Sequence, residues 1–435
     1  MDKSMRRLFI IIISLISIIP ALHATTNTAI VVANTAIVAT NTAILAVNTA
    51  DVATNTTDVA TNNTNAVANT ADVATNNTNV AEGIKVKVSG RLHLDASTYF
   101  NAPDTLSTRL DITELRLAAK VSYKEWYLKL DVGFAQNKLK IKDAFAQWHH
   151  KGHCLRAGYM LGFFGIDQSI STNDFTFNSG ANICETYYNG RHNGISYTYS
   201  IPHWYISAGM FIGDGLVYNA NTKPGQNASL RALWRPINRD KNILHLGCSG
   251  IVRRPDLNRT TGLRPITISS KGVTYTASPA LQHLIISDAT TQYEAGAEIF
   301  YTHNKLLVQA EYLFMAVQRK NAQTYCTNGG YLQLGWLIKG TQYNYDNLDA
   351  LPYRPTDNGS LLMILRYNIN NLNDMKTGLI GGNQQDLSIG LNYYINKYFC
   401  THLNYTWLHL SDSPINLRTS PLDIHQLQCK LQFAF

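Results

Sequence analysis

The sequence predicts an all-β fold: a 16-stranded antiparallel transmembrane β-barrel over residues 84–435, preceded by an α-helical coiled coil over 25–83 and a signal peptide over 1–24. Three observations carry this. The hydropathy period changes from seven to two at residue 84. The chain then ends in strict alternation, with Leu427, Cys429, Leu431, Phe433 and Phe435 apolar and Gln426, Gln428, Lys430 and Gln432 polar. Alternation sorts the two classes onto opposite faces of a strand, as in a wall with lipid on one side and water on the other. Finally, only 15% of the residues are charged and 45% are hydrophobic, yet no internal apolar run reaches the ~18 residues of a helical span.

Lys3, Arg6 and Arg7 precede an apolar run at 8–19, followed by Pro20 and the small residue Ala24. A basic start, a short apolar stretch and a small residue at the cut describe a secretory signal peptide. The run, about twelve residues long, is short for a membrane anchor of ~20. From 27 to 82 asparagine recurs every seventh position, and Asn34, Asn41, Asn48, Asn55, Asn62, Asn69 and Asn76 each follow an aliphatic residue by three (Val31, Val38, Leu45, Val52, Val59, Ala66, Val73). Valine at a and asparagine at d alternate apolar and polar layers, and a seven-residue period implies left-handed supercoiling. About 56 helical residues would reach ~84 Å. A Thr/Asn/Ala-rich tract also suits an unstructured linker, because Thr and Asn are poor helix formers. Eight repeats unbroken by Gly or Pro favour the coiled coil. The repeat is similar to the stalks of trimeric autotransporter adhesins, a resemblance that implies three chains whose d-layer asparagines hold an anion on the axis.

After Glu82-Gly83, strands are predicted at 84–100, 108–122, 126–134, 143–149, 154–160, 192–200, 204–212, 226–236, 243–253, 291–302, 306–317, 329–339, 360–369, 385–395, 400–410 and 424–435. One set of connections is short (123–125, 150–152, 201–203, 238–241, 303–305, 396–399) and the alternate set is longer (161–191, 213–225, 254–290, 318–328, 370–384). Short turns at one end and long loops at the other are the outer-membrane arrangement; a long turn at 340–359 interrupts it. An even strand count brings both barrel ends to the short-turn, periplasmic side, and the stalk is expected to project there.

Several stretches carry a family resemblance. Gly90-Arg91-Leu92-His93-Leu94-Asp95 and Glu114-Leu115-Arg116-Leu117 open the sheet. Asp143-Ala144-Phe145, Arg156-Ala157-Gly158-Tyr159 and Gly190-Arg191-His192-Asn193-Gly194 flank the longest early loop. Ala310-Glu311-Tyr312, Leu334-Gly335-Trp336, Leu365-Arg366-Tyr367 and Gly390-Leu391-Asn392-Tyr393-Tyr394 follow in order. Together they resemble the phosphate-selective porin O and P family, which also has a long turn where 340–359 falls. The resemblance implies a non-enzymatic diffusion channel, without cofactor or metal, in the outer membrane of a Gram-negative bacterium. Its solutes would be small and hydrophilic, anions in preference, with phosphate and polyphosphate as candidates. The implied partners are outer-membrane lipid, lipopolysaccharide and two further copies of the chain. The last strand resembles the C-terminal signal read by the outer-membrane assembly machinery, with Phe433 and Phe435 as its aromatic residues. Phe163-Phe164-Gly165 replaces the family's Pro-Phe, and Gly340-Thr341-Gln342 lacks its Glu and Arg, so the motifs do not single out phosphate.

Charge agrees with an anion channel. Residues 84–435 hold 34 bases and 24 acids. Nucleic acid is an unsuitable partner for an exported chain, so the surplus points to small anions or acidic lipopolysaccharide. The polar, inward phase carries Lys85, Lys87, Arg91, Arg116, Lys120, Lys129, Arg156, Arg231, Arg235, Arg253 and Arg366, against Asp95, Glu114, Asp131, Glu294, Glu298, Glu311 and Asp386. Pairing across the wall neutralises part of this, and a low-dielectric channel focuses the remainder. Trp126, Tyr127, Trp148, Trp204, Trp234, Trp336, Tyr393 and Trp407 fall near strand ends or on outward phases, where interfacial belts sit.

Other chemistry is weakly signalled. The six cysteines form no C-x-x-C pair, Cys248 and Cys429 sit on apolar strand positions, and a Cys184–Cys326 loop disulfide is open to an oxidising compartment. His149, His150 and His153 surround a Lys-Gly turn and read as solvated rather than metal-binding. No nucleophile elbow occurs. The rival function is a structural or adhesin-like outer-membrane protein whose stalk tethers or trimerises the barrel. Adhesin chains each supply only a few membrane strands, whereas this chain supplies a whole barrel.

Overall fold

The computed structural model describes residues 78–81 and 83–435, apart from 136–137, 188–189, 218, 240 and 414–420. Sixteen strands form the wall: β1 Ile84–Phe100, β2 Arg109–Tyr123, β3 Trp126–Gly133, β4 Lys140–His150, β5 His153–Leu161, β6 Arg191–Ser200, β7 Trp204–Ile212, β8 Gln226–Arg239, β9 Asn242–Arg254, β10 Ala289–His303, β11 Leu306–Arg319, β12 Ala322–Lys339, β13 Ser360–Asn371, β14 Asn383–Tyr394, β15 Phe399–Ser411 and β16 Leu422–Ala434. Each is antiparallel to its sequence neighbours, and β16 pairs with β1 from Arg91↔Ala434 to Phe100↔His425, closing the barrel.

The faces are inverted relative to a water-soluble sheet. On β14, Leu387, Ile389, Leu391 and Tyr393 are 40–49% exposed, while Asp386, Ser388 and Asn392 are at most 1% exposed. Apolar outside and polar inside is the arrangement that lipid requires of a barrel. Trp126, Trp204, Trp234 and Trp336 stand exposed near the short-turn end, with the rings of Trp204 and Trp234 stacked at 6.2 Å. Tyr127 does not join them. It occupies the inward phase next to Trp126 and donates its hydroxyl to Gln147 at 2.6 Å.

Closure depends on a glycine. Gly90 and Phe435 exchange backbone hydrogen bonds of 3.2 and 3.0 Å, and a Cβ on Gly90 would lie 2.7 Å from the Phe435 ring. Below that point β1 extends past β16, and Thr78–Ala81 pairs with its free edge through Thr78↔Val86 and Asn79↔Lys85. These four residues are the end of the heptad tract, and they form a strand rather than helix. The signal peptide, the coiled-coil register and Asn34 to Asn76 lie outside the described residues.

One predicted loop is absent. β12 starts at Ala322, seven residues before the expected 329, so 318–328 is not a long loop. Asn321 adopts φ 60° and lets Arg319 pair directly with Ala322, a two-residue turn of the kind Asn tolerates. Polar Gln323, Thr324 and Asn328 hide the strand from a hydropathy reading.

Three connections fold into the barrel. From the long-loop end comes 162–190, carrying the short helix α1 (Asn182–Thr186), together with 255–288, which contains a hairpin of Ile266–Ser270 with Gln282–Ile286. From the short-turn end comes 340–359, with Asn344–Asp346 paired to Leu351–Tyr353. Phe164 and Ile183 pack with Ile268, Ile286, Leu313 and Met315. Ile166 and Phe177 pack with Phe300, Leu337 and Ile364. Val273 and Leu281 pack with Leu408, Leu410 and Ile424. Each such side chain, once buried, contributes roughly 1.5–3 kcal/mol, which explains why inward positions of β9–β16 are often apolar although they face a lumen.

Candidate functional site

Infolding leaves the lumen open along one side. The wall from β1 to β6 faces a cavity of about 1110 Å³, bounded across from it by residues 167–175, 269–275 and 346–353 of the infolded connections. Most of the predicted bases on β1 to β5 reach this cavity. Arg91 and Arg116 share Glu114 and Asp131, with Arg91 Nε 3.5 Å from Glu114, Arg91 3.9 Å from Asp131 and Arg116 3.7 Å from Asp131. Arg91 also donates to Ser171 Oγ at 2.8 Å, which ties the wall to the infolded loop. Lys129 reaches Asp143 at 2.7 Å and Arg156 reaches Asp349 at 2.6 Å. Lys120 has no carboxylate partner among the described residues; its Nζ lies 3.8 Å from the centre of the Tyr127 ring.

Other predicted bases lie elsewhere. Lys85 and Lys87 are exposed on the short-turn extension of β1, outside the cavity. Arg253 pairs with Asp214 at 2.7 Å towards the long-loop end. Arg231, Arg235 and Arg366, expected to line the pore, are corrected by the structure: they are fully buried and do not border this cavity. Arg231 contacts Glu298 at 2.8 Å and the Ala350 carbonyl at 3.2 Å, and Arg235 donates to the Asn347 carbonyl at 2.9 Å, so both clamp the 340–359 turn. Arg366 donates to the carbonyls of Ser179 and Gly180 at 3.4 and 3.3 Å. An inward arginine under an infolded loop is a tether, since backbone carbonyls satisfy its donors without a second charge.

The acids divide in the same way. Glu311 accepts the backbone N–H groups of Ile166 at 2.9 Å and Asp167 at 2.7 Å, and Glu298 holds Arg231 and His245. Both serve the infolded loops and turn. His150 pairs with Glu125 and His153 with Tyr197, and among the described residues no group of three or more His, Cys, Asp or Glu could hold a metal. All six cysteines are free, with Cys184 buried in the loop and Cys326 exposed on the outer face, so the loop disulfide does not form.

Alternation alone missed several residues. Between Asp131↔Asp143 and Val132↔Ile141 the register shifts, and the bulge turns Lys142 into the cavity beside Asp143. Gly133 makes room for it, since a Cβ there would lie 3.3 Å from Lys142 Cε. Lys142 has no carboxylate partner among the described residues. Arg191, at the start of β6, also reaches Asp143 at 2.7 Å. Lys430 was legible as an inward position of β16; it is buried and donates to the Asn178 carbonyl at 2.8 Å.

The positive surplus expected of the inward phase is not a simple excess. Eight bases and eight acids line the cavity among the described residues. They are segregated. Seven of the bases and three of the acids lie on β1 to β6, whereas Asp167, Asp174, Glu185, Asp346 and Asp349 come from the opposite side. Burial pushes the carboxyls of Asp167 and Asp174 above the ordinary carboxylate range and that of Glu185 up to about 7, where the Tyr275 hydroxyl donated to it offsets only part of the shift. Near neutral pH Glu185 is therefore only partly ionised, and the loop side carries less negative charge than its residue count.

The chain matches the phosphate-selective porin O and P family over residues 86–435. No curated protein sequence matches the chain. Among solved structures, the trimer form of OmpT from Vibrio cholerae superposes with a TM-score of 0.53 at 10% identity, covering 81% of this chain and 100% of that one. An anion-selective porin from Comamonas acidovorans gives 0.53 at 11% identity, with 81% and 100% coverage. The outer membrane channel DcaP of Acinetobacter baumannii gives 0.51 at 12% identity, with 81% and 98% coverage. At these identities the structural likeness concerns the fold.

Proposed function

The chain belongs to the phosphate-selective porin O and P family and is an outer-membrane porin channel, and on that premise we propose that it passes small anions in preference to cations along the β1 to β6 wall. One observation carries this: the open cavity is bordered by seven wall bases against three wall acids, and Lys120 and Lys142 among them have no carboxylate partner among the described residues. An ion crossing the low-dielectric interior follows the side where such charges concentrate. Phosphate belongs to the class of anion such a wall accepts. The wall does not distinguish it from other small oxyanions. The position of both barrel ends on the short-turn side supports a periplasmic location for the 25–83 tract, and its heptads suit a homotrimer, the state named for the OmpT structure. Phe433 and Phe435 suit recognition by the assembly machinery, and the exposed apolar band suits outer-membrane lipid and lipopolysaccharide. Planar-bilayer recording in a potassium chloride gradient tests the selectivity. A reversal potential of chloride sign is expected, and one of potassium sign would overturn it.

A further inference from the structure

The wall that borders the cavity is not uniformly polar. Inward apolar residues on β9–β16 are covered by the infolded loops, but Tyr127 on β3 and Phe145 on β4 face the open cavity and are only partly buried. Their ring centres lie 6.1 Å apart. Cations flank them: Lys120 Nζ is 3.8 Å from the Tyr127 centroid, Lys129 Nζ 5.9 Å and Arg156 Cζ 5.6 Å from that of Phe145. Arg156 also lies 5.1 Å from the ring of Phe163 on the infolded loop. The register partner of Phe145 on β5 is Gly158, whose own partner on β6 is Gly194, so the ladder adds no side chain beside the ring on that side. Lys129 and Arg156 are occupied by Asp143 and Asp349. Lys120 is not so occupied.

Resting on the anion-channel reading above, the geometry points to a retention site for aromatic anions, aryl carboxylates in chemical class. The ring of such a solute packs on Tyr127 and Phe145 in an offset or edge contact, and its carboxylate meets Lys120. A polar oxyanion finds the same lysine but gains nothing from the rings. An aromatic contact of this kind strengthens retention about two- to tenfold.

The test is block of chloride current through the full-length channel in planar bilayers by benzoate, acetate and cyclohexanecarboxylate. Benzoate is expected to reduce the current at a concentration about fivefold lower than acetate, with cyclohexanecarboxylate between them. Phe145→Leu should bring the benzoate and acetate values together, and Tyr127→Leu, on a different strand, should narrow the gap if the first variant does not assemble. Lys120→Gln should weaken block by all three carboxylates. Equal block by benzoate and acetate in the unaltered channel, or a gap unchanged in an assembled Phe145→Leu or Tyr127→Leu channel, overturns this site and leaves anion passage standing. A potassium-sign reversal potential overturns the underlying reading itself.

Discussion

Arg366 lies against Phe177, its guanidinium carbon 4.3 Å from the ring centroid, and the same guanidinium donates to the carbonyls of Ser179 and Gly180. A strand residue thereby fixes the segment of the 162–190 loop that lies across the lumen. Lys430 does the same for Asn178 from β16, and Glu311 for the backbone amides of Ile166 and Asp167 from β11. These three anchors come from strands widely separated in sequence, and Arg91 of β1 adds a fourth through Ser171.

Loss of the Arg366 tether should therefore loosen the loop without opening the wall. Arg366→Met keeps the bulk and removes the donors, and buried carbonyls left without partners cost about 1–3 kcal/mol. The expected result is a larger and noisier single-channel conductance with faster proteolysis inside 162–190. Unchanged conductance and protection would show that Arg366 is not the anchor.

Lys142 should matter for selectivity more than its place in the sequence suggests. At roughly 1 kcal/mol per nearby charge in a water-filled lumen, Lys142→Gln should lower the anion-to-cation permeability ratio up to about fivefold at low ionic strength. In molar salt, where the Debye length is ~3 Å, the difference should shrink. A ratio unaffected at low salt would remove Lys142 from the selectivity wall.

Glu185 carries a pH dependence. Its carboxyl, raised to about 7 by burial, is mostly protonated below that pH and ionised above it. Raising pH through 7 adds negative charge to the loop side, so anion preference should fall over that interval, and Glu185→Gln should flatten the profile. The folded carboxyl binds its proton more tightly than the unfolded one, so this group also makes stability decline between the ordinary carboxylate range and about pH 7. Reversal potentials from pH 5 to 9 give the readout; a slope retained in Glu185→Gln would assign the effect elsewhere.

Gly90→Val tests closure. The added atoms meet the Phe435 ring where Cβ alone would be 2.7 Å away, and such overpacking typically costs 1–3 kcal/mol. The heat-modified band on unboiled gels should appear at a lower temperature than for the unaltered chain. Phe435→Ala in the same background should restore part of the loss, because the clash is with that ring.

Much of the wall is legible in hydropathy alone. Fifteen of the sixteen strands fall close to where alternation sets them, because facing depends on residues two apart and needs no knowledge of distant contacts. Reading fails at β12, where Gln323, Thr324 and Asn328 rise beyond the apolar band and lose the pattern. It fails again at Lys142, where one bulged residue shifts the phase. Tyr127 misleads for another reason: tyrosine is equally at home in a belt and in a lumen, and only its register opposite Gln147 decides.

By itself the sequence determined the barrel, its lipid and water faces and the meeting of its two ends, all consequences of a two-residue rhythm sustained over some 350 residues. Which inward charges meet solute was decided only in three dimensions. Arg156 and Arg366 read alike along their strands, yet one faces the cavity with Asp349 and the other lies buried beneath Phe177. The difference arises because three connections dock inside the lumen through contacts between residues more than a hundred positions apart, and local periodicity carries no record of them.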